Sequence, residues 1–224
     1  MSNLLNTDGL DQPQIKKKRN FFPVLILGGF LIGLALGWLA IQLSSDSGFF
    51  DGEEYYGNVI EYPDLAAEFT LTSHTGEPVS LSDFDEKVVL LYFGYTYCPD
   101  VCPASMAQLA KATNELTAEE KEQVQVAMIT VDPHRDSKEI MADYMGHFDP
   151  TFLGLTGTEG EIATVADAYG VYYEKQAGSP EIDYLVNHTA SVFVIDKDGY
   201  LRMLYPFSTP GENIASDLRQ LVRE

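Results

Sequence analysis

The longest apolar run in the chain is Phe21 to Leu43, FFPVLILGGFLIGLALGWLAIQL, twenty-three residues without a charge. At about 1.5 Å per residue, a helix of that length crosses a hydrocarbon core of about 30 Å with some tilt to spare. Lys16, Lys17, Lys18 and Arg19 stand just before it, and basic flanks stay on the cytoplasmic side. The pattern predicts a cytoplasmic basic N-terminus over residues 1–20, one transmembrane anchor over 21–43 and everything later outside, with Trp38 near the far interface. A cleaved signal peptide is the competing reading. Its apolar region runs about 7–15 residues and ends in an A-x-A pattern, whereas this run is longer and reads Leu-Ala-Ile-Gln around Ala40. An uncleaved anchor is the expectation.

Residues 44–63, SSDSGFFDGEEYYGNVIEYP, are polar, acidic and glycine-containing, the pattern of a tether. A folded domain is expected over 64–224. Phe69 to Leu71 and Val79 to Leu81, joined by the turn-rich Ser73 to Pro78, predict a hairpin. Lys87 to Gly94 is a mostly apolar run, as in a strand buried on both faces, and Val124 to Val131 reads as a second buried strand. Helical spacing of Met106, Leu109, Ala110 and Thr113 predicts a helix reaching about Leu116, with Pro103 suited to its first turn. Further helices are expected from Ser137 to Gly146, Glu159 to Tyr169 and Asn213 to Val222, with a short strand at Phe152 to Leu155. Ser191 to Ile195 and Tyr200 to Tyr205 flank Asp198-Gly199, a hairpin signal. Alternating strands and helices predict an α/β layer with parallel strands at its centre.

Composition narrows the function classes. Hydrophobic content of 45% suits a globular chain. Ten basic and 32 acidic residues follow Ser44, a formal charge of −22. That charge excludes nucleic acid as a partner, because nothing neutralises phosphates in number, and it opposes docking on an anionic lipid surface. It fits solubility, or attraction to a cationic metal or a basic partner.

The only cysteines, Cys98 and Cys102, sit where a central strand hands over to a helix, the end of a sheet at which function gathers. A disulfide between them closes too short a loop to stabilise much, so the pair points to chemistry. In a first helical turn, i and i+4 face the same way, which lets both sulfurs converge on one atom. Thiolates select Cu(I) and zinc, and an added imidazole admits Cu(II). The C-x₃-C spacing is not that of a four-ligand zinc site, and a thiol–disulfide oxidoreductase prefers one residue fewer. His74, His134 and His147 fall at loops and a helix end, as surface histidines do. His188 directly precedes the strand Ser191 to Ile195. If that strand lies beside Leu90 to Gly94, His188 reaches the cysteines. Met106 is expected in the core.

Three segments appear in order: Tyr92-Phe-Gly-Tyr-Thr-Tyr-Cys98-Pro-Asp100-Val-Cys102-Pro103, Val131-Asp132-Pro133-x-Arg135-Asp136, and Tyr184-x-Val186-x-His188-Thr189. Together they resemble the SCO/SenC family of copper-binding proteins that assist cytochrome c oxidase assembly, over roughly Ala66 to Val222. The resemblance implies a thioredoxin-like fold in which Cys98, Cys102 and His188 bind one copper, as Cu(I) or Cu(II). The same cysteines would form a redox disulfide. Asp132 is expected beside the metal or against a partner, and Asp100 to tune the thiols. The implied partners are cytochrome c oxidase subunit II, or another exported copper protein, and an upstream copper donor. The implied place is an inner membrane, the domain lying in the periplasm or, in a mitochondrion, the intermembrane space. Two further readings stay open. One is a thiol–disulfide reductase, with Cys98 attacking and Cys102 resolving; the other is a peroxidase or sensor using the same residues.

Overall fold

The computed structural model describes Trp38, residues 55–177 and residues 184–224. Apart from Trp38, the expected N-terminal segment 1–20, anchor 21–43 and first part of the tether lie outside the described residues. Among those described, no helix is long and apolar enough to cross a membrane. The chain divides into Met1–Glu53 and Glu54–Glu224, and the second unit carries the described fold.

The strands are β1 (Asn58–Val59), β2 (Thr70–Ser73), β3 (Pro78–Ser80), β4 (Val88–Gly94), β5 (Val124–Thr130), β6 (Leu153–Thr156), β7 (Tyr173–Ala177), β8 (Tyr184–His188), β9 (Val192–Ile195) and β10 (Leu201–Tyr205). The helices are α1 (Val101–Asn114), α2 (Ala118–Glu122), α3 (Lys138–Gly146), α4 (Glu159–Ala168) and α5 (Gly211–Leu221). Eight strands make one sheet in the order β1-β10-β9-β4-β5-β6-β2-β3, and β7 and β8 pair separately.

The apolar run of β4 explains its place. All seven residues are buried, so the strand needs neighbours on both edges and cover on both faces. It pairs in parallel with β5 along its whole length and antiparallel with β9 from Val89 to Tyr92. Strands β4, β5 and β6 form the expected parallel centre. The result is a mixed sheet flanked by helices, as the alternation of elements implies.

Residues opposite one another in register share a face. Val192, Tyr92, Met128 and Gly154 form one such row. A side chain at Gly154 would meet Met141 and Met145 of α3, and one at Gly94 would come within 3.1 Å of Cys102 Sγ. That face is therefore covered by α1 and α3, and α5 packs onto α1. On the other face, Phe93 meets Tyr169 and Phe193 with ring centroids 5.7 Å apart. Helix α4 lies there, its start fixed by a capping box between Thr158 and Glu161. Glycine at position 94 lets the first turn of α1 sit directly against the end of β4.

Three elements depart from the sequence pattern. Residues 55–63, expected in the tether, belong to the folded unit. Asn58 and Val59 pair with Leu204 and Met203, and the buried Asp217 carboxylate accepts the Tyr56 and Gly57 N–H groups at 3.0 and 2.9 Å. Their polar composition suits a tether, but backbone pairing does not depend on side-chain hydrophobicity. The short helix α2 was not anticipated either. Lastly, His188 ends a strand, since Tyr173 to Ala177 pairs with Tyr184 to His188 in antiparallel register.

Candidate metal centre

Cys98 lies in the loop after β4 and Cys102 in the first turn of α1. Both are free thiols and both are buried, Cys98 9% exposed and Cys102 0%. The Cys102 N–H donates to Cys98 Sγ at 3.4 Å, a bond available because helix N-termini leave their first N–H groups unpaired. Pairing of β4 with β9 brings the end of β8 over this turn, as the expected neighbour relation requires. His188 Nε2 is 3.4 Å from Cys102 Sγ and 3.4 Å from the Tyr92 hydroxyl. His188 Nδ1 faces the Val186 carbonyl at 3.3 Å. A carbonyl only accepts, so Nδ1 carries the proton and Nε2 presents its lone pair towards the sulfurs.

The imidazole is held by aromatic edges. Tyr92 and Tyr95 meet it at near-perpendicular angles, with centroids 6.2 and 5.7 Å away. The Tyr95 hydroxyl accepts the Val186 N–H at 3.2 Å. Val186 thus links Tyr95 to His188 through its two backbone groups.

Electrostatics differ sharply between the two thiols. The Cys98 thiol is pulled down to about 5, first by the hydrogen bond from the Cys102 side chain, then by the Cys102 and Asp100 backbone amides and the His188 ring. The Cys102 thiol is pushed up, by the same bond to Cys98 and by burial. Burial lowers the affinity of His188 for a second proton. Cys98 is therefore the thiolate and Cys102 its S–H donor. We expect iodoacetamide to modify Cys98 at a rate that climbs with pH until about 5 and is flat above it. An ordinary thiol keeps gaining reactivity to about pH 8.5. Mass mapping of the alkylated residue checks this, and a profile still climbing at neutral pH would contradict it.

Asp132 is fully buried. Its carboxylate accepts from Arg135 Nε and, at 2.8 Å, from the Tyr184 hydroxyl. It therefore acts on the hairpin that carries His188. Asp100 is exposed and its side chain makes no capping bond to α1; its influence on Cys98 comes through the backbone N–H. Met106 is core, 0% exposed. His74 Nδ1 accepts the Gly154 N–H, and His147 Nδ1 bonds the Asp143 carbonyl at the end of α3.

Asp136 and Arg135 were missed as organisers of the site. The Asp136 carboxylate accepts the Thr96 N–H at 3.0 Å and the hydroxyls of Thr96 and Thr130. It thereby pins the loop two residues before Cys98 to the end of β5. An acidic residue six positions past a mostly apolar strand was the available signal.

Two sulfurs and an unprotonated imidazole nitrogen make a soft donor set suited to copper. Among the described residues, no group of three or more His, Cys, Asp or Glu is already spaced to hold an ion. The donors are instead tied to one another by hydrogen bonds, which an ion would replace.

Comparison with known proteins agrees with this geometry. The chain is 34% identical over 215 residues to human "Protein SCO2 homolog, mitochondrial", covering 96% of this chain and 79% of that one. Apo Sco1 from Thermus thermophilus superimposes with a TM-score of 0.69 at 38% identity, covering 76% of this chain and 99% of the other. Copper-bound ScoI from Bradyrhizobium japonicum gives 0.65 at 34% identity, covering 70% and 99%. These neighbours share the thioredoxin-like arrangement of the mixed sheet and its helices. The SCO1/SenC family model matches residues 58–223, a span that contains both cysteines, the Asp132 to Asp136 loop and His188, and the chain belongs to that family.

Proposed function

We propose that the protein is a membrane-anchored copper metallochaperone, with copper as its cargo held by Cys98, Cys102 and His188. The observation that carries this is the contact between His188 Nε2 and Cys102 Sγ, groups 86 residues apart brought together at the end of β4. Solved relatives from Bradyrhizobium japonicum and Arabidopsis thaliana hold bound copper. Two thiolates and one imidazole leave a side of the ion open to an incoming ligand, so transfer proceeds by ligand exchange without free copper. The destination we infer is the dinuclear copper site of cytochrome c oxidase subunit II or of another exported copper protein, loaded in turn by an upstream donor. The run Phe21 to Leu43 supports a single-pass anchor, with the domain in the periplasm or intermembrane space.

Redox state gates the cargo. Oxidation of the Cys98 thiolate and Cys102 thiol to a disulfide gives up two electrons to an external oxidant and the one thiol proton, and leaves no thiolate to bind. The full chain, purified in detergent, reduced and anaerobic, is titrated with Cu(I) against a competing chelator. One tightly held copper per reduced chain, lost on oxidation, is expected. No tight binding by the reduced chain would overturn the proposal.

The low Cys98 pKa and the buried Cys102 favour a second reading, a thiol–disulfide reductase with Cys98 attacking and Cys102 resolving. His188→Ala separates the two. A reductase keeps its rate on a disulfide substrate, whereas a copper carrier loses its cargo.

A further inference from the structure

We propose that Arg135 is a positioning residue that clasps the hairpin carrying His188 to the loop carrying Cys98. The clasp deepens the copper-carrier reading, on which only its metal readout rests.

The guanidinium lies where three parts of the site meet. Its Nη1 donates to the Tyr184 carbonyl at 2.9 Å, and its Nε to Asp132. Asp132 in turn accepts from the Tyr184 hydroxyl. The first residue of β8 is therefore held at its backbone and at its side chain by one ion pair. The plane of the guanidinium also serves two rings. Its central carbon is 3.6 Å from the Tyr184 centroid and 4.9 Å from that of Tyr97, the residue before Cys98. Tyr95, which holds Val186, lies at 5.8 Å. One cation thus joins the cysteine loop to the histidine strand.

An ordinary ion pair does not explain this arrangement. Asp132 is fully buried and Arg135 16% exposed. Arg135 Nη2 is buried without a hydrogen-bond partner among the described residues, a cost that a lysine would not carry. What arginine adds is a planar group that stacks and donates in two directions at once. Lys175 also sits near the Tyr184 ring, at 5.0 Å. It is half exposed and belongs to the hairpin itself, so it cannot tie the hairpin to the cysteine loop.

The test compares the full chain in detergent, reduced and metal-free, with Arg135→Ala, Arg135→Lys and Tyr97→Leu. Hydrogen exchange is followed in the 184–188 segment and in β4. In Arg135→Ala, exchange over 184–188 should rise about ten-fold while β4 is unchanged, the scale expected for losing a charged hydrogen bond. Arg135→Lys should not restore protection. Tyr97→Leu alters a half-exposed residue outside the hairpin, so it stays folded, and it should still raise exchange over 184–188 about three-fold. Loaded with Cu(II), Arg135→Ala should lose the nitrogen coupling of His188 from its electron paramagnetic resonance spectrum. Unchanged exchange over 184–188 in both Arg135→Ala and Tyr97→Leu would overturn the clasp, as would a rise shared equally by β4 or full restoration by lysine. Failure of the wild type to bind copper would instead remove the carrier reading, and exchange alone would then decide the clasp.

Discussion

Cys102→Ser abolishes tight copper binding while leaving the fold in place. The substitution exchanges a sulfur for a smaller oxygen at a fully buried position, so packing changes little. The hydroxyl, however, is a hard donor that Cu(I) does not favour. Cys98→Ser has the same effect for the same reason. His188→Ala leaves both sulfurs and should weaken binding by about 100-fold, the upper end of what even an outer-sphere partner of a metal site costs. Chelator competition under anaerobic conditions measures all three, with calorimetric melting to show that each variant is folded. Unchanged affinity in His188→Ala would end the three-donor model. The thiol electrostatics add a count. Cys98 is already a thiolate at neutral pH and Cys102 is not, so Cu(I) binding should release about one proton. Titration calorimetry in buffers of different ionisation enthalpy reads that number.

Asp136→Ala should cost about 3–5 kcal/mol of stability, because it strands the part-buried Thr96 N–H and hydroxyl and the buried Thr130 hydroxyl. For a domain of this size that lowers the melting temperature by on the order of 10 °C. Asp136→Asn should be far milder, since an amide still accepts from the Thr96 N–H and the Thr130 hydroxyl. The pair also differs in pH response. Burial raises the Asp136 pKa, outweighing the bonds from Thr130 and Thr96 that lower it. A carboxyl raised in the folded state contributes stability that is full below its unfolded value, about 3.9, and is lost as pH rises through the folded value. Wild-type stability should therefore decline across that window, and Asp136→Asn should lack this part of the decline. Denaturant melts between pH 3 and 7 test it. Parallel curves for the two proteins would show that Asp136 does not titrate there.

Both predictions concern residues gathered around the loop that carries Cys98, yet only one was legible from the sequence. Cys98 and Cys102 declare themselves by residue type and spacing, whatever surrounds them. The family resemblance implies a place for Asp132 beside the metal or against a partner. Only the fold shows that its carboxylate is turned inward to Tyr184 and Arg135. A side chain's direction depends on what packs against it, and sequence carries no record of that.

The local pattern along the chain was enough for the apolar run over 21–43, the fully buried β4 and the largely buried β5, the helices α1, α3, α4 and α5, and the cysteine pair. Each of these depends on periodicity or composition within one window, which neighbouring residues determine by themselves. Tertiary structure decided the remainder. It added Asn58 and Val59 to the sheet edge and turned the approach to His188 into a strand. It also gave one cysteine a low pKa and the other a high one, and set Arg135 between Tyr97 and Tyr184. Several of these outcomes rest on contacts between residues far apart in the chain, Arg135 with Tyr97 across 38 positions and Asn58 with Leu204 across 146. Closing such distances is the work of the whole core, so no single segment announces them.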